Sequence, residues 1–304
     1  MNHLPTTKQL RYFVALDQHG HFGKAAEACF VSQPAFSVAI RELESMLNVQ
    51  LVDRSNKNVT ITALGREIAR QARVTLRDME DLVDIARGNQ APLTGRLTLG
   101  VIPTIAPFLL PTVLPALHGA YPDLKLYLKE DLTARVYQRL MEGELDLILI
   151  ALPYELRHVT EMPLFDDHFH LAHRRDSRFV CSTEHHVDDL PSDSILLLED
   201  GHCLRDHALS ACRIQNADKV SSITATSLLT LVQMVDADLG VTYLPEMAVN
   251  SSLLGNTSIE TRPLESGSFR QIGLVWRKAS TRGEEFRLLG DFIRQHTPGL
   301  DAAE

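Results

Sequence analysis

The sequence lacks any apolar run near the roughly 18 residues that a membrane-spanning helix needs, so no spanning helix is expected. Met1–Gly20 is interrupted by acidic and basic side chains and does not read as a secretion signal. Cysteine is scarce: four in 304 residues (Cys29, Cys181, Cys203 and Cys212), too few for a disulfide scaffold. The chain therefore reads as cytoplasmic, where a cysteine pair that does oxidise is a sensor or catalyst rather than a staple. A Walker loop, a Rossmann glycine fingerprint and a Gly-x-Ser-x-Gly elbow are all missing, which sets aside the usual nucleotide, dinucleotide and serine-hydrolase readings.

What is present describes a globular protein of two or more domains, with 44% hydrophobic and 23% charged residues. The net charge of -9 argues at first against a nucleic-acid partner, but it is unevenly spread. Met1–Arg77 carries 10 Lys/Arg against 6 Asp/Glu, a balance of +4, and the remainder carries 20 against 33, a balance of -13. A basic front on an acidic body confines any phosphate contact to the front.

In that front, Thr6–His19 reads as a helix with Leu10, Phe13, Val14 and Leu16 on one stripe and Gly20 stopping it. Phe22–Phe30 reads as a second helix, whose Ala25, Ala26 and Ala28 permit close packing. Ser32 is the expected N-cap of a third helix running to about Leu47, with Pro34 tolerated in its first turn. Phe36, Ile40, Leu43 and Leu47 repeat at helical spacing as its buried face, and Gln33, Ser37, Arg41 and Glu44 lie opposite. Two helices joined by a tight turn, the second with polar and basic groups near its start, predict a helix-turn-helix. Ser32, Gln33, Pro34, Ser37 and Arg41 are the candidate residues for the major groove. Leu51–Thr62 predicts a hairpin wing whose basic tip brings Arg54 and Lys57 to phosphates. From Thr62 to Arg87, Leu64, Ile68, Ala72, Leu76, Met79, Leu82 and Val83 recur at spacings that predict a long helix, and its single apolar seam pairs with a copy of itself.

After the loop Gly88–Pro92 the pattern changes to strand–helix alternation, with strands at Arg96–Ile102, Leu124–Lys129, Leu145–Ala151, Ser194–Leu198, Gly240–Tyr243 and Ile272–Trp276. Helices are expected at Phe108–Ala120, Thr133–Glu142 and Glu284–Arg294. This alternation predicts an α/β domain with mostly parallel strands. Repeats on both sides of Pro163–Asp167, with a returning strand near Ile272, predict two lobes joined by two crossings and a ligand cleft between them. The expected plan is an α+β winged helix-turn-helix domain at 1–62, a dimerising linker helix at 63–90 and a two-lobed effector domain at 91–304. Lobe I takes about 91–166 and 272–304, and lobe II about 167–271.

The segments Leu10-Arg-Tyr-Phe13, Phe22-Gly-Lys-Ala-Ala26-Glu, Val31-Ser-Gln-Pro34 and Ile40-Arg-Glu-Leu43-Glu resemble the LysR-type transcriptional regulators. The order of head, linker helix and effector domain fits the same family over essentially the whole chain. The resemblance implies a periplasmic-binding-protein-like effector domain of two Rossmann-like subdomains. It also implies a homodimer or homotetramer that binds an interrupted palindrome in double-stranded promoter DNA, with RNA polymerase as a partner, and no enzyme activity. The segment from Leu198-Glu-Asp-Gly-His-Cys203 through Leu-Arg-Asp-His-Ala-Leu-Ser-Ala-Cys212 is similar to the cysteine loop of the peroxide-sensing members. Gly100-Val-Ile-Pro-Thr104, Ala225-Thr-Ser-Leu228 and Ile272-Gly-Leu-Val275 support it, and His207 and Leu229 depart from it.

By that resemblance Cys203 is the peroxidatic thiol and Cys212 the resolving one, and Thr104, Thr133, His202, Arg205, Asp206 and Arg270 form a peroxide pocket. Thiolate is the nucleophile toward peroxide. His202 before the thiol, Arg205 after it and a turn at Asp200-Gly201 leading into a helix are the features expected to favour the anion, and Asp206 is expected to orient Arg205 or a nearby backbone group. The sulfenic acid that forms condenses with a second thiol. A helix between Cys203 and Cys212 would hold their Cα atoms roughly 13 Å apart, against about 4.4–6.8 Å in a disulfide. Bond formation therefore requires unwinding.

Cys29 and Cys181 read as structural. No cofactor is expected, and the signal would be hydrogen peroxide, with glutaredoxin or thioredoxin as reductant and antioxidant-defence genes as targets. His168, His170 and His173 lack companion ligands at a zinc-like spacing and read as a half-exposed strand, so no metal is expected. A family member responding to a small organic effector, with incidental thiols, is the competing reading, and a thiol peroxidase is the third.

Overall fold

Thr6 opens the first helix, α1 (Thr7–His19), with a reciprocal cap: its hydroxyl accepts from the Gln9 amide at 3.2 Å and its amide donates to Gln9 Oε1 at 3.0 Å. Gly20 ends α1 at φ 59, a left-handed conformation that suits glycine. The computed structural model describes residues 4–53, 59–86, 92–180, 190–212, 214, 216–264 and 268–297. They divide into two compact units, Met1–Ala91 with Met141–Leu145 and Pro92–Leu140 with Asp146–Glu304.

In the first unit, α2 (Phe22–Ala28) stops two residues before the expected end, because Phe30 turns the chain at φ 56. Helix α3 (Gln33–Leu47) starts after Ser32 as expected and buries Phe36, Ile40 and Leu43 completely. Phe36 stacks on Tyr12 at 5.0 Å, and with Phe13, Leu16 and Leu51 it forms the core of the head. Each such side chain contributes about 1.5–3 kcal/mol of burial. The wing pairs β1 (Val52–Asp53) with β2 (Thr60–Ile61) antiparallel, and its expected basic tip, with Arg54 and Lys57, lies outside the described residues.

Glu44, expected on the outer face of α3, instead turns to the wing: its Oε1 accepts from the amides of Leu51 at 2.9 Å and Val52 at 3.0 Å. The long helix α4 (Ala63–Ala86) follows. It buries Ala69 and Ala72 while Leu64, Met79, Leu82 and Val83 stay exposed, so part of the expected apolar seam is uncovered.

The second unit runs β3 (Gly95–Val101), α5 (Ala106–Ala120), β4 (Leu124–Glu130), α6 (Thr133–Met141), β5 (Leu147–Leu152) and β6 (Val159–Arg174). It continues with β7 (Ile195–Leu198), α7 (Cys203–Ala211), β8 (Val220–Ala225), α8 (Leu228–Asp236), β9 (Thr242–Pro245), α9 (Glu246–Val249), β10 (Ile259–Pro263), β11 (Phe269–Arg277) and α10 (Gly283–Gln295). The main sheet has the order β10-β6-β11-β5-β3-β4, with β9 also on β6, and β7 pairs with β8 beside it.

The expectation of mostly parallel strands does not hold for this sheet. Pairs β3–β4, β3–β5 and β7–β8 are parallel. The pairings of β6 and β11 are antiparallel. The cause is β6, a strand of 16 residues that includes Pro163–Asp167, the stretch read as a connection. Its first part pairs with β11 and its last part with β9 and β10, so it serves both halves of the sheet. A second apolar core, built from Leu196, Leu198, Leu204, Val232 and Tyr243, lies under α7 and α8.

Candidate functional site

Cys203 is the first residue of α7 and is buried, at 7% exposure. Burial pushes its thiol up from the ordinary value, and the nearby carboxylate of Asp206 adds to this. The Thr133 hydroxyl, the Arg270 guanidinium and the backbone of Ala151 pull the other way. Thr133 is the first residue of α6, and its hydroxyl is buried with no conventional hydrogen-bond partner among the described residues. It is thus free to serve the thiol.

Arg270 on β11 is also buried, and it is fully engaged. Its Nε donates to Asp167 Oδ2 at 2.9 Å, Nη1 to the Thr104 hydroxyl at 2.9 Å and Nη2 to the Thr104 carbonyl at 2.8 Å. Asp167 Oδ1 accepts from the Met247 amide at 3.0 Å. Burial pushes the Asp167 carboxyl up, opposed by Arg270 and by that amide. The structure therefore brings Thr104, Thr133 and Arg270 into the surroundings of Cys203, and it adds Asp167, which the sequence reading missed. A carboxylate whose partner is 103 residues away carries no local signal.

The two expected anion-favouring neighbours are placed differently. Arg205 turns back to Asp200 at 3.1 Å and to the Leu198 carbonyl at 3.2 Å, so Asp200, not Asp206, orients it. The His202 ring meets the backbone of Thr226, and burial lowers its pKa, which keeps it neutral near pH 7. Neither charge supports the thiolate; that role passes to Thr133 and Arg270. His207, one turn along α7, directs Nε2 to the Pro153 carbonyl at 3.0 Å.

Cys212 caps the other end of α7 and is buried in the second apolar core, where desolvation pushes its thiol up to about 12. Cys203, Cys212 and Cys29 are all free thiols, and Cys181 lies outside the described residues. With α7 intact, the two ends of the pair are separated by roughly 13 Å along its axis.

In the head, Ser32, Gln33, Pro34 and Arg41 are exposed and Ser37 is half-buried along α3. His168 and His170 are half-buried on β6, whereas His173 is buried, so the expected half-exposed strand holds for two of the three. Among the described residues no group of three His, Cys, Asp or Glu is arranged to hold a metal ion, and no helix is long and apolar enough to cross a membrane.

Residues 7–66 match the bacterial regulatory helix-turn-helix protein, lysR family, and residues 90–298 match the LysR substrate binding domain. The HTH-type transcriptional regulator EstR of Acinetobacter baylyi is 39% identical over 298 residues, which is 98% of this chain and 99% of that protein. The DNA-binding transcriptional dual regulator OxyR of Escherichia coli K12 is 38% identical over 292 residues, 96% of each. The structure of full-length OxyR from Pseudomonas aeruginosa, in a cysteine-to-aspartate variant, is similar with a TM-score of 0.81 and 36% identity, covering 97% of this chain and 96% of that one. Head and effector domain each match on their own, the relatives align over 96–99% of their length, and the chain belongs to the LysR family of helix-turn-helix transcriptional regulators.

Proposed function

We propose that this regulator senses hydrogen peroxide through Cys203 and reports it through a bond to Cys212. The observation that carries the reading is the pairing of a buried thiol, faced by Thr133 and Arg270 at the start of α7, with a second thiol at the end of that helix. Thiolate at Cys203 attacks one peroxide oxygen. The O–O bond breaks, Cys203 becomes a sulfenic acid and the other oxygen leaves as hydroxide, which is protonated to water. The Cys212 thiol then displaces that hydroxyl, forming the disulfide and releasing a second water. Thr104, Thr133 and Arg270 are the groups suited to hold peroxide and the departing oxygen. Closing the bond unwinds α7, and this unwinding is the signal passed on.

In this reading residues 1–62 bind promoter DNA, with Ser32, Gln33, Pro34, Ser37 and Arg41 at base edges and Arg54 and Lys57 at phosphates. Residues 63–90 join two copies, and residues 91–304 hold the switch. The exposed apolar residues of α4 support self-association. The regulator works in the cytoplasm as a dimer or tetramer, engages RNA polymerase at antioxidant genes, and is reset by glutaredoxin or thioredoxin. Several relatives are described as hydrogen peroxide-inducible genes activators, at 37–38% identity, which supports the choice of signal.

The test is thiol mapping by mass spectrometry after a brief stoichiometric peroxide pulse, together with DNA footprints of both forms. A Cys203–Cys212 bond and an altered footprint are expected; identical footprints and no bond would reject the reading. A second reading is a small organic effector between the lobes. It is favoured by the match to EstR, named an HTH-type transcriptional regulator, which at 39% identity is as similar to this chain as the peroxide regulators are, to within two percentage points. In that case Cys203→Ser leaves induction intact.

A further inference from the structure

His207 lies four residues beyond Cys203 on α7, so the two side chains share a face of the helix. Its Nε2 meets the Pro153 carbonyl, just past the end of β5, at 3.0 Å. A carbonyl only accepts, so Nε2 carries the ring proton and Nδ1 is a bare acceptor. That nitrogen is buried and meets no donor among the described residues. The charged groups acting on the ring are Arg270 from β11, which disfavours its protonation, and Asp206 from its own helix, which favours it. Burial is the largest influence and keeps the ring neutral near pH 7.

Among the described residues, the other side-chain hydrogen bonds and ion pairs of α7 lie toward its ends. Arg205 holds the start through Asp200 and the Leu198 carbonyl, and the Ser268 hydroxyl donates to the Ala211 carbonyl at 3.2 Å. His207 ties the middle, and it ties it to Pro153, two residues after the Ala151 whose backbone acts on the Cys203 thiol.

We propose that His207 is a positioning residue of the switch: its hydrogen bond to Pro153 pins the middle of α7 and slows closure of the Cys203–Cys212 bond, without acting in the attack on peroxide. The proposal rests on the disulfide reading above. Unwinding α7 must withdraw the ring from Pro153, and only then does Nδ1 gain water as a donor. The pinned ring makes one bond and forgoes another, so the pin holds the helix but yields once Cys203 is oxidised. Closure itself consumes the sulfenic acid of Cys203 and the proton of Cys212 and releases water, so it needs no oxidant beyond peroxide.

The experiment compares full-length protein with His207→Phe, which keeps ring volume but has no donor, and with His207→Gln, which keeps an N–H. Sulfenate formation is timed in a Cys212→Ser background, closure is timed by quenched alkylation with both cysteines present, and amide hydrogen exchange is followed in the reduced protein. In His207→Phe, closure is expected to quicken about two- to tenfold, the size of one net hydrogen bond. Amides of α7 exchange faster, those of β5 do not, and sulfenate formation stays within about twofold. His207→Gln falls between the two and carries the test if His207→Phe does not fold.

Unchanged closure with unchanged α7 exchange overturns the pin. Sulfenate formation slowed severalfold also overturns it, by placing His207 in the chemistry. If the parent forms no Cys203–Cys212 bond at all, it is the function reading that fails, and α7 exchange still decides whether His207 pins the helix.

Discussion

Asp167 and Arg270 stand directly opposite each other on β6 and β11 and are joined by an ion pair of 2.9 Å from which solvent is wholly excluded. These are the strands paired along the middle of the sheet, and the pair extends to Thr104 after β3 and to the start of α9. A buried pair of this kind is held by its completeness: every charged atom has a partner, and removing one leaves the other stranded.

Asp167→Asn is therefore expected to destabilise the protein by about 3–5 kcal/mol, because the Arg270 charge stays buried without its counter-ion. The urea midpoint measures this. The same change strengthens the pull of Arg270 on the Cys203 thiol, so the surviving folded protein forms sulfenate faster at a given pH. A merely structural carboxylate would change the midpoint alone.

How far this site could be read from the sequence depends on the range of its parts. Helix α3 was legible because its start is written locally, in Ser32 followed by Pro34, although the Ser32 side chain makes no capping hydrogen bond; α1 was read from its apolar stripe, and its Thr6–Gln9 cap emerged only in the structure. Strand β6 was legible only at its His168–His173 end, because Pro163, Asp166 and Asp167 interrupt the apolar alternation of its first part, which pairs with β11. Thr104, Thr133 and Arg270 were placed by family resemblance. Asp167 had no such cue, and the outward turn of Arg205 depends on Asp200, an interaction that sequence neighbours alone do not rank above Asp206.

Thr133→Val separates chemistry from packing. The hydroxyl has no conventional hydrogen-bond partner, so its loss changes stability by less than about 1 kcal/mol. The Cys203 thiolate loses a donor, however, and sulfenate formation at pH 7 slows by up to about tenfold, one pKa unit of ionisation. Because burial holds this thiol above its ordinary range, the parent rate climbs steadily from pH 6 to pH 9. A plateau near neutrality, or an unchanged rate in Thr133→Val, would refute the assigned role.

In the head, Arg41 and Glu44 sit one turn apart on α3 and separate binding from stability. Arg41→Ala removes an exposed side chain and shifts stability by no more than about 0.5 kcal/mol, yet it weakens operator binding. Glu44→Leu strands the amides of Leu51 and Val52 and destabilises the head by about 1–3 kcal/mol. Its binding defect should follow melting and disappear at low temperature. Calorimetry and operator titration at fixed salt distinguish the two.

The order of events at the two thiols follows from their surroundings. Cys212 lies in the apolar core with its thiol pushed up to about 12, and desolvation is the whole cause. At pH 8 such a thiol is ionised in roughly one molecule in ten thousand. Cys203 is also raised, but Thr133, Arg270 and the Ala151 backbone oppose the rise. On the proposed function, peroxide meets Cys203 first, and Cys212 becomes reactive only when the unwinding of α7 draws it out of the core. In Cys203→Ser, Cys212 should remain unmodified through a peroxide pulse that fully converts the parent. In Cys212→Ser, Cys203 should accumulate as sulfenic acid. Mass-spectrometric labelling of both variants reads the outcome, and rapid oxidation of Cys212 in Cys203→Ser would reverse the assignment of attacking and resolving thiols.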